Sequence, residues 1–144
     1  MLIEYKVNQE ITLEAFKELL SHSTLGPRRP LDDDICLKGM LDNTNLMVTA
    51  WAKGQLVGVA RSMTDFHFAC YLSDLAVHEG FQRHGIGKQL QAKTQAQLGP
   101  KCKLILIAAP AAADYYQPLG YEHHPRCWIL EPDVRIKGTD STPA

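Results

Sequence analysis

Two glycines and two basic residues lie in one short stretch of the chain and could together bind a phosphate group. Gly85 and Gly87 flank Ile86, and Arg83 and Lys88 stand just outside them. The first amides of a helix have no intrahelical acceptor, and the helix dipole is positive at that end, so a helix opened by glycines can hold an anion on its backbone N–H groups. The sequence therefore predicts that an anion binds here.

The charge of the surrounding segment supports this prediction. Residues 78–103 contain five Lys or Arg and one acid, Glu79, a local balance of +4, whereas the whole chain has 15 basic and 16 acidic residues. A chain with a formal net charge of −1 lacks the excess of positive charge that marks most nucleic-acid binders. We therefore expect a local anion site and no nucleic-acid partner.

The glycine spacing matches neither of the common nucleotide-binding motifs. Leu90 stands where the dinucleotide pattern G-x-G-x-x-G has its third glycine, and no G-K-[ST] of a P-loop is present. The alternative to phosphate binding is a tight turn that needs glycine and only starts a helix. The two glycines alone leave both interpretations open.

The elements around this stretch are predicted from hydrophobic periodicity. A strand is expected over Cys70 to His78 and an amphipathic helix over Gly85 to Leu98. The next segment, Lys103 to Ala108, is continuously apolar after its first residue, which favours a central strand covered on both faces. This β-α-β unit places the glycines between the end of a strand and the start of a helix.

The first part of the chain is predicted to form a strand and two helices. Leu2 to Val7 is the strand, and Thr12 can cap the first helix. Asp32 to Asp34 lie where a second helix, which ends near Asp42, has its positive dipole end. We interpret these acids as a helix cap, because three adjacent carboxylates on a helix do not converge on one cation.

The remaining elements are a hairpin and a C-terminal helix with two strands. Leu46 to Ala52 and Leu56 to Met63 are the two hairpin strands. A short helix is predicted from Pro110 to Gln117, and Leu119 to Tyr121 leads into a strand that pairs with Cys127 to Leu130. The predicted order is βααβββαβαββ, a mixed α/β fold.

Length and composition indicate one globular domain. The chain has 144 residues, of which 45% are hydrophobic and 22% charged, which is ordinary globular composition. We expect the domain to cover residues 1–131 and a flexible tail to cover residues 132–144. A homodimer in which the tail takes part is left open.

Several other classes of protein are not indicated. The longest nearly apolar run, Leu104 to Ala113, has ten residues, too few for a membrane span, and the N-terminus does not resemble a secretion signal. A cytoplasmic protein with no membrane partner is therefore expected. The four cysteines form no C-x-x-C pair and are interpreted as buried thiols, and the six histidines lack H-x-x-x-H spacing, so no metal is expected.

The segment from Gln82 to Gly87 (QRHGIG) resembles the Q/R-x-x-G-x-G/A signature of the GCN5-related N-acetyltransferase (GNAT) family. Leu72 to Val77 resembles the strand that precedes this signature, and Ala112 to Tyr121 resembles the family's A-x-x-F-Y-x-x-x-G-F segment. The predicted order of elements is also the family's. The resemblance implies a GNAT-like acyl-CoA N-acyltransferase fold in which the fourth and fifth strands splay apart.

By this resemblance, acetyl-CoA is the co-substrate. Its pyrophosphate would lie on the backbone amides of the glycine loop, and its pantetheine arm would pair with the edge of the fourth strand. The implied cofactor-binding residues are Leu75, Ala76, Val77, Gln82, Arg83, His84, Gly85, Ile86, Gly87 and Lys88. Tyr116 occupies the family's proton-donor position and would protonate the departing CoA thiolate.

The general base is less well indicated. Some members of the family have a glutamate on the fourth strand, and Tyr71 occupies the corresponding place here. Asp74 is the nearest carboxylate and is a candidate catalytic residue, but it could equally be hydrogen-bonded within the sheet, and water could serve as the base. For Tyr116, the alternative role is that of a packed aromatic.

The resemblance implies an N-acetyltransferase that moves an acetyl group from acetyl-CoA directly to a primary amine in a ternary complex. The amine would be a small molecule or a peptide, and no metal takes part. A catalytically silent CoA-binding or sensor module is the alternative. Gly26 to Pro30 and Thr64 to Ala69 are expected to frame the acceptor, and their mixed charges do not decide its class.

Overall fold

A five-stranded sheet with three helices forms the first of two units in the computed structural model, which describes residues 2–139. The first unit covers residues 1–113 and the second covers residues 114–144. The predicted mixed α/β fold is confirmed. The elements are β1 Glu4–Val7, α1 Leu13–Ser21, α2 Asp34–Asp42, β2 Leu46–Ala52, β3 Gln55–Thr64, β4 Ala69–Val77, α3 Ile86–Gln95 and β5 Lys103–Ile105.

Short polar side chains begin the first two helices, as the sequence predicts. The Thr12 Oγ1 accepts a hydrogen bond from the Ala15 amide at 3.0 Å, and an Asp33 carboxylate oxygen accepts one from the Cys36 amide, also at 3.0 Å. Each bond satisfies an amide that the helix itself leaves without an acceptor. The interpretation of the acid triplet as a helix cap is confirmed.

The strands follow one another across the sheet in chain order. β1 to β4 are antiparallel neighbours, and β4 and β5 are parallel. The predicted hairpin of β2 and β3 is confirmed, and its turn has positive φ at both Lys53 and Gly54. Such turns match the twist of antiparallel strands.

Gly58 on β3 lets α3 pack closely on the sheet. A Cβ at this position would lie 3.0 Å from Leu90 Cδ1 and 3.1 Å from Ile86 Cγ2. Both of these helix side chains are buried in the cluster between α3 and the sheet. Because Ile86 is the first residue of α3, the close contact at Gly58 includes the start of this helix.

We expect Gly58→Ala to destabilise the protein by about 1–3 kcal/mol, because an added methyl group overpacks the contact with α3. Gly39→Ala is the matched control, since nothing lies within 4 Å of a Cβ at this position in α2. The control should stabilise the protein by about 0.5–1 kcal/mol through helix propensity. Urea unfolding of both variants measures the difference, and equal effects would contradict the packing role of Gly58.

The prediction of a long central strand at Lys103 to Ala108 is wrong. β5 has three residues, lies at the edge of the sheet and pairs only with Ala69, Cys70 and Tyr71 of β4. Its outer edge has no strand beside it among residues 2–139. Without a neighbouring strand the apolar run is not held extended, and Ile105 and Ile107 remain exposed.

The predicted C-terminal helix and the two strands after it are also not observed. Short 3₁₀ turns at Pro110–Ala112 and Gln117–Leu119 replace the helix, and residues 106–139 contain no strand. A proline begins one turn and lies within the other, and proline removes the amide that would continue a helix. Trp128, at the centre of the predicted last strand, is 90% exposed. Part of the predicted tail, residues 140–144, lies outside the described residues.

Candidate active site

β4 loses its β5 neighbour partway along its length and leaves one edge unpaired. The β4–β5 pairing ends at Tyr71, whereas β4 continues to Val77 against β3. From Leu72 onward, no strand among residues 2–139 pairs with the other edge of β4. The predicted splay of the fourth and fifth strands is confirmed, and we call this edge of Leu72–Val77 the open edge.

A β-bulge in β4 lies near the start of the open edge. Arg61 of β3 pairs with Asp74, and the next β3 residue, Ser62, pairs with Leu72. Ser73 is therefore the extra residue in β4. Bulges bend a strand and redirect its backbone groups, and this one lies two residues after the last contact with β5.

The hydrogen-bonding groups of the open edge alternate along β4. The His78 amide donates to the Val57 carbonyl of β3 at 2.8 Å, and Ala76 occupies the equivalent position two residues earlier. In an antiparallel ladder, every second residue turns its amide and carbonyl toward the same neighbour. Leu75 and Val77 therefore direct their backbone groups to the open edge, whereas those of Ala76 face β3.

The predicted anion site follows β4 directly. The side chain of His78 accepts a hydrogen bond from the Gly80 amide at 3.0 Å, which begins a short turn from Glu79 to Phe81. Arg83 and Gly85 then adopt left-handed backbone angles with φ of 67° and 73°. Glycine adopts this conformation without the steric cost that a side chain carries.

The start of α3 offers the amides that the sequence predicted. Gly85 precedes the helix without a capping side chain, and the Gln89 amide donates a hydrogen bond to the Gly85 carbonyl at 3.0 Å. The amides of Ile86, Gly87 and Lys88 come before that bond and have no intrahelical acceptor. The side chain of Ile86 is 2% exposed, so this residue can reach a ligand only through its backbone.

The side chains in the predicted phosphate segment are otherwise accessible. Gln82, Arg83, His84 and Lys88 are exposed, and no salt bridge among residues 2–139 involves Arg83 or Lys88. Two exposed basic residues therefore flank, in sequence, the amides at the positive end of the helix dipole. All ten predicted cofactor-binding residues lie on one continuous stretch of the first unit, from β4 to the first turn of α3.

Asp74 is fully buried and forms salt bridges with two arginines. One carboxylate oxygen accepts from Nε of Arg29 and the other accepts from Nε of Arg61. The sequence left two roles open for this carboxylate, that of a catalytic base and that of a hydrogen-bonded structural group. The structure shows it hydrogen-bonded to two side chains. Sequence reasoning missed Arg61. A charged residue within the apolar strand Leu56–Met63 does, however, indicate a buried ion pair, because a buried charge needs a partner.

Tyr116 belongs to the second unit, where it is half-buried among aromatic rings. Its ring lies 5.0 Å from that of Tyr115 and 5.4 Å from that of Tyr121, and both pairs are edge-to-face. Burial raises the pKa of Tyr116 above its ordinary value of 10.0. The phenol therefore keeps its proton at neutral pH, which a proton donor requires.

Three further expectations concern the cysteines, a metal ion and a membrane span. The interpretation of the cysteines as buried thiols holds for Cys70 and is wrong for Cys36 and Cys127, which are exposed. Within residues 2–139, no three His, Cys, Asp or Glu side chains are grouped closely enough to hold a metal ion. In the same residues, no helix is long and apolar enough to cross a membrane.

His22 links the end of α1 to the turn that precedes the anion site. Its ring lies between two carboxylates, with Nε2 3.0 Å from Glu18 Oε1 and Nδ1 3.3 Å from Glu79 Oε1. The ring also stacks on His78 at 4.9 Å, and the His22 carbonyl accepts the Glu79 amide at 2.8 Å. The hydrogen bond to Glu79 is the main reason that the pKa of His22 is raised above 6.5.

The raised pKa predicts a pH dependence of stability. The protonated ring contributes fully below its unfolded pKa, and this contribution is lost as the pH rises through the higher folded value. Melting temperature should therefore fall less between about pH 6 and pH 8 in His22→Gln than in the wild type. His123→Gln, which changes an exposed histidine, is the control. Identical pH profiles for His22→Gln and the wild type would contradict the contribution of His22.

The comparison with known families decides the class of this chain. The model of the acetyltransferase (GNAT) domain matches residues 27–127. The chain belongs to the GNAT acetyltransferase family. The match covers β4, the predicted anion site, α3 and Tyr116. The GNAT signature therefore lies on the segment that contains the open edge and the first amides of α3.

Curated GNAT relatives agree with this assignment. An uncharacterized ycf52-like N-acetyltransferase of Prochlorococcus marinus is 31% identical over 121 residues, which are 80% of this chain and 62% of the relative. The ycf52 N-acetyltransferase of Gracilaria tenuistipitata is 31% identical over 124 residues, 84% of this chain and 64% of the relative. The chain thus spans less than two thirds of the length of these relatives.

Solved GNAT structures share the fold. An acetyltransferase of Streptococcus pneumoniae has a TM-score of 0.69 at 19% identity, covering 90% of this chain and 98% of its own. The aminoglycoside acetyltransferase AAC(6')-Iy, bound to the bisubstrate analogue CoA-S-monomethyl-acetylneamine, also has a TM-score of 0.69, at 20% identity. That comparison covers 93% of this chain and 100% of the other. At these identities the likeness shows the fold alone.

Proposed function

We propose that this GNAT chain is an acetyl-CoA-dependent N-acetyltransferase that transfers the acetyl group directly to a primary amine in a ternary complex. The observation that carries the proposal is the open edge of β4, which leads into unpaired amides at the start of α3. The edge can accept an extended amide-bearing chain, and the helix start can accept a phosphate. CoA contains both groups, joined in that order.

The pantetheine arm would add to the sheet as a strand-like neighbour of β4. Leu75 and Val77 direct their backbone groups outward and would pair with the two amides of the arm. The pyrophosphate would accept hydrogen bonds from the amides of Ile86 to Lys88, next to the exposed cations of Arg83 and Lys88. Gln82 and His84, which are also exposed, complete the proposed loop.

The proposed reaction needs one nucleophile and two proton movements. The neutral amine nitrogen attacks the thioester carbonyl carbon, a C–N bond forms, and the C–S bond breaks as the intermediate collapses. Tyr116 gives its proton to the departing CoA sulfur and becomes a phenolate. The amine nitrogen loses a proton to water, and water then returns a proton to the Tyr116 phenolate. General acid catalysis of this kind assists the reaction, because the sulfur leaves more readily as a protonated thiol than as a thiolate.

Asp74 is an unsuitable base for this reaction. Both of its carboxylate oxygens accept hydrogen bonds from guanidinium groups, and the side chain has no exposure to solvent. A base needs a free lone pair within reach of the amine. We therefore propose that water removes the amine proton and that Asp74 has a structural part in the site.

A primary amine is supported as the acceptor by what the structural relatives bind. AAC(6')-Iy is described with a bisubstrate analogue of CoA and acetylneamine, and a soil-derived aminoglycoside acetyltransferase with sisomicin. For this chain we propose a small-molecule or peptide amine without assigning its class. The N-terminal connection at Gly26–Pro30 and the β3–β4 loop frame the acceptor in this proposal.

The proposal is tested by supplying acetyl-CoA with amino acids, polyamines, aminoglycosides and peptide N-termini and measuring free thiol. At least one amine should release thiol in a one-to-one ratio with acetylated product. Binding of acetyl-CoA with no product from any class of amine would favour the silent CoA-binding module instead.

Acetyl-CoA and CoA should also raise the melting temperature, whereas NAD and ATP at the same concentration should not. A ligand that binds the native state stabilises it by about 2.7 kcal/mol at a hundred times its Kd, which corresponds to several degrees. NAD and ATP have phosphates but lack the pantetheine arm that pairs with β4. A shift with ATP as large as that with CoA would point to a general phosphate site.

A further inference from the structure

Three charged side chains from three elements meet at the β-bulge of β4. Asp74 lies on β4, Arg61 on β3, and Arg29 in the connection between α1 and α2. The side chains of Asp74, Arg61 and Arg29 are 0%, 5% and 20% exposed. We call these three residues the arginine clamp.

The arginine clamp contacts the bulged residue from two directions. Arg29 Nη2 donates to the Ser73 carbonyl oxygen at 2.9 Å, and Arg61 Nη2 donates to Ser73 Oγ at 3.1 Å. The Ser73 carbonyl therefore has a side-chain partner although the bulge interrupts the regular ladder at this point. The bulge lies near the start of the open edge, so the clamp holds the backbone two residues after the last β4–β5 pair.

The same clamp reaches the C-terminal end of α2. Arg61 Nη1 donates to the Met40 carbonyl at 3.0 Å and to Thr44 Oγ1 at 3.1 Å. A cation at this end of a helix is favoured by the helix dipole and satisfies a carbonyl of the last turn. The α1–α2 connection and the end of α2 are thus both attached to the bulge.

Such a cluster favours a single geometry. Burying a charge is costly unless it is paired and hydrogen-bonded, so each member of the clamp needs the others in place. The planar guanidinium donates in fixed directions, which makes its contacts more restrictive than those of a lysine ammonium. Movement of the connection away from the bulge would leave part of Asp74 without its second partner.

We infer that Arg29, held by Asp74 on the bulge of β4, is a positioning residue that fixes the segment Gly26–Pro30 at the acceptor side of the site. The inference rests on the proposed function in one respect, namely that this segment frames the amine. Arg29 acts through the backbone of its own segment and through Ser73. The cofactor-binding stretch from Leu75 to Lys88 is not part of the clamp.

Arg29→Gln is the informative variant. Asp74 keeps its contact with Arg61 in this variant, so the buried carboxylate is not left without a cation. Asp74→Ala, by contrast, would leave Arg61 buried without its carboxylate and is expected to compromise folding. Lys38→Gln is the matched control, because it removes an exposed ion pair with Asp42 from α2.

The first measurement is amide hydrogen exchange, which does not depend on activity. In Arg29→Gln, peptides that contain residues 25–31 should exchange about tenfold faster or more, since charge-assisted hydrogen bonds hold the segment. Peptides from α3 and β2 should be unchanged, as should all peptides of Lys38→Gln. An unchanged rate in residues 25–31, or an equal increase over the whole sheet, would overturn the local positioning role.

The second measurement separates the acceptor from the cofactor. In Arg29→Gln, the KM of the amine should rise about tenfold, while the Kd of acetyl-CoA from calorimetry stays within about twofold. A change of the same factor in both constants, or in neither, would overturn the inference. If the wild-type protein acetylates no amine, the proposed function fails, and the exchange measurement still decides the role of Arg29.

Discussion

Gly85→Val and Gly87→Val are each expected to abolish detectable acetyl-CoA binding while the protein remains folded. A branched side chain beside the amides of Ile86 to Lys88 keeps a phosphate group from reaching them. Gly87 lies in the first turn of α3 and its φ is not positive, so valine there adds bulk without left-handed strain. Isothermal titration calorimetry with acetyl-CoA measures the effect directly.

Gly85→Val needs a control for strain, because Gly85 has a left-handed φ of 73°. Gly54, in the β2–β3 turn, has a φ of 80°, and a Cβ at either position has nothing within 4 Å. Gly54→Val therefore carries a comparable backbone cost at a site far along the chain from the anion site. Wild-type affinity in Gly54→Val together with lost binding in both loop variants supports the assignment.

A different result would contradict the proposed phosphate site. If Gly85→Val and Gly87→Val both bind acetyl-CoA as the wild type does, the amides at the start of α3 do not hold the pyrophosphate. The glycines would then serve only the tight turn, which is the alternative that the sequence left open. Circular dichroism of each variant ensures that lost binding is not lost folding.

The sequence was most informative where structure depends on neighbouring residues. Thr12 and Asp33 cap their helices through amides three residues away, and the β2–β3 hairpin joins two apolar segments that the prediction separates by only three residues. Gly85 likewise marks the start of α3, because its positive φ is a local requirement. The GNAT signature coincides with these local features, which is why the glycine loop before α3 could be predicted.

The sequence was less informative where structure depends on distant partners. The apolar pattern of Lys103 to Ala108 is compatible with a central strand, but a strand also needs neighbours, and β5 has one only along Ala69 to Tyr71. The exposed segment Cys127–Leu130 has a strand-like pattern without a partner among the described residues. Side-chain pattern alone did not determine pairing in either segment.

The arginine clamp shows the same limit within the site. Arg29 and Asp74 are 45 residues apart in sequence, and nothing in the local pattern of either joins them. Asp74 could be predicted as a carboxylate on a strand, but whether it is free or paired depends on its partners. The isolated charges at Arg61 and Asp74 on neighbouring apolar strands are the one signal that could have suggested a buried pair.

Tyr116→Phe is expected to lower kcat by about 10²- to 10⁴-fold, the usual range for loss of a general acid. The Kd of acetyl-CoA should change by no more than a few fold, because the variant removes one oxygen and keeps the ring. Burial raises the pKa of Tyr116, so the phenol is protonated throughout the neutral range and wild-type kcat should not fall with pH through loss of this proton. Steady-state kinetics with an amine from the panel measure kcat and KM together.

Tyr115→Phe is the matched control, since the two tyrosines are adjacent and their rings contact each other edge-to-face. Both variants remove only a phenol oxygen from the same group of aromatic rings, and the melting temperature of each variant measures any loss of packing. A large fall in kcat for Tyr116→Phe alone supports proton donation, because only that chemical role distinguishes the neighbours in the proposal. Nearly full kcat in Tyr116→Phe would mean that water protonates the thiolate or that Tyr116 is a packed aromatic, and its catalytic assignment would fail.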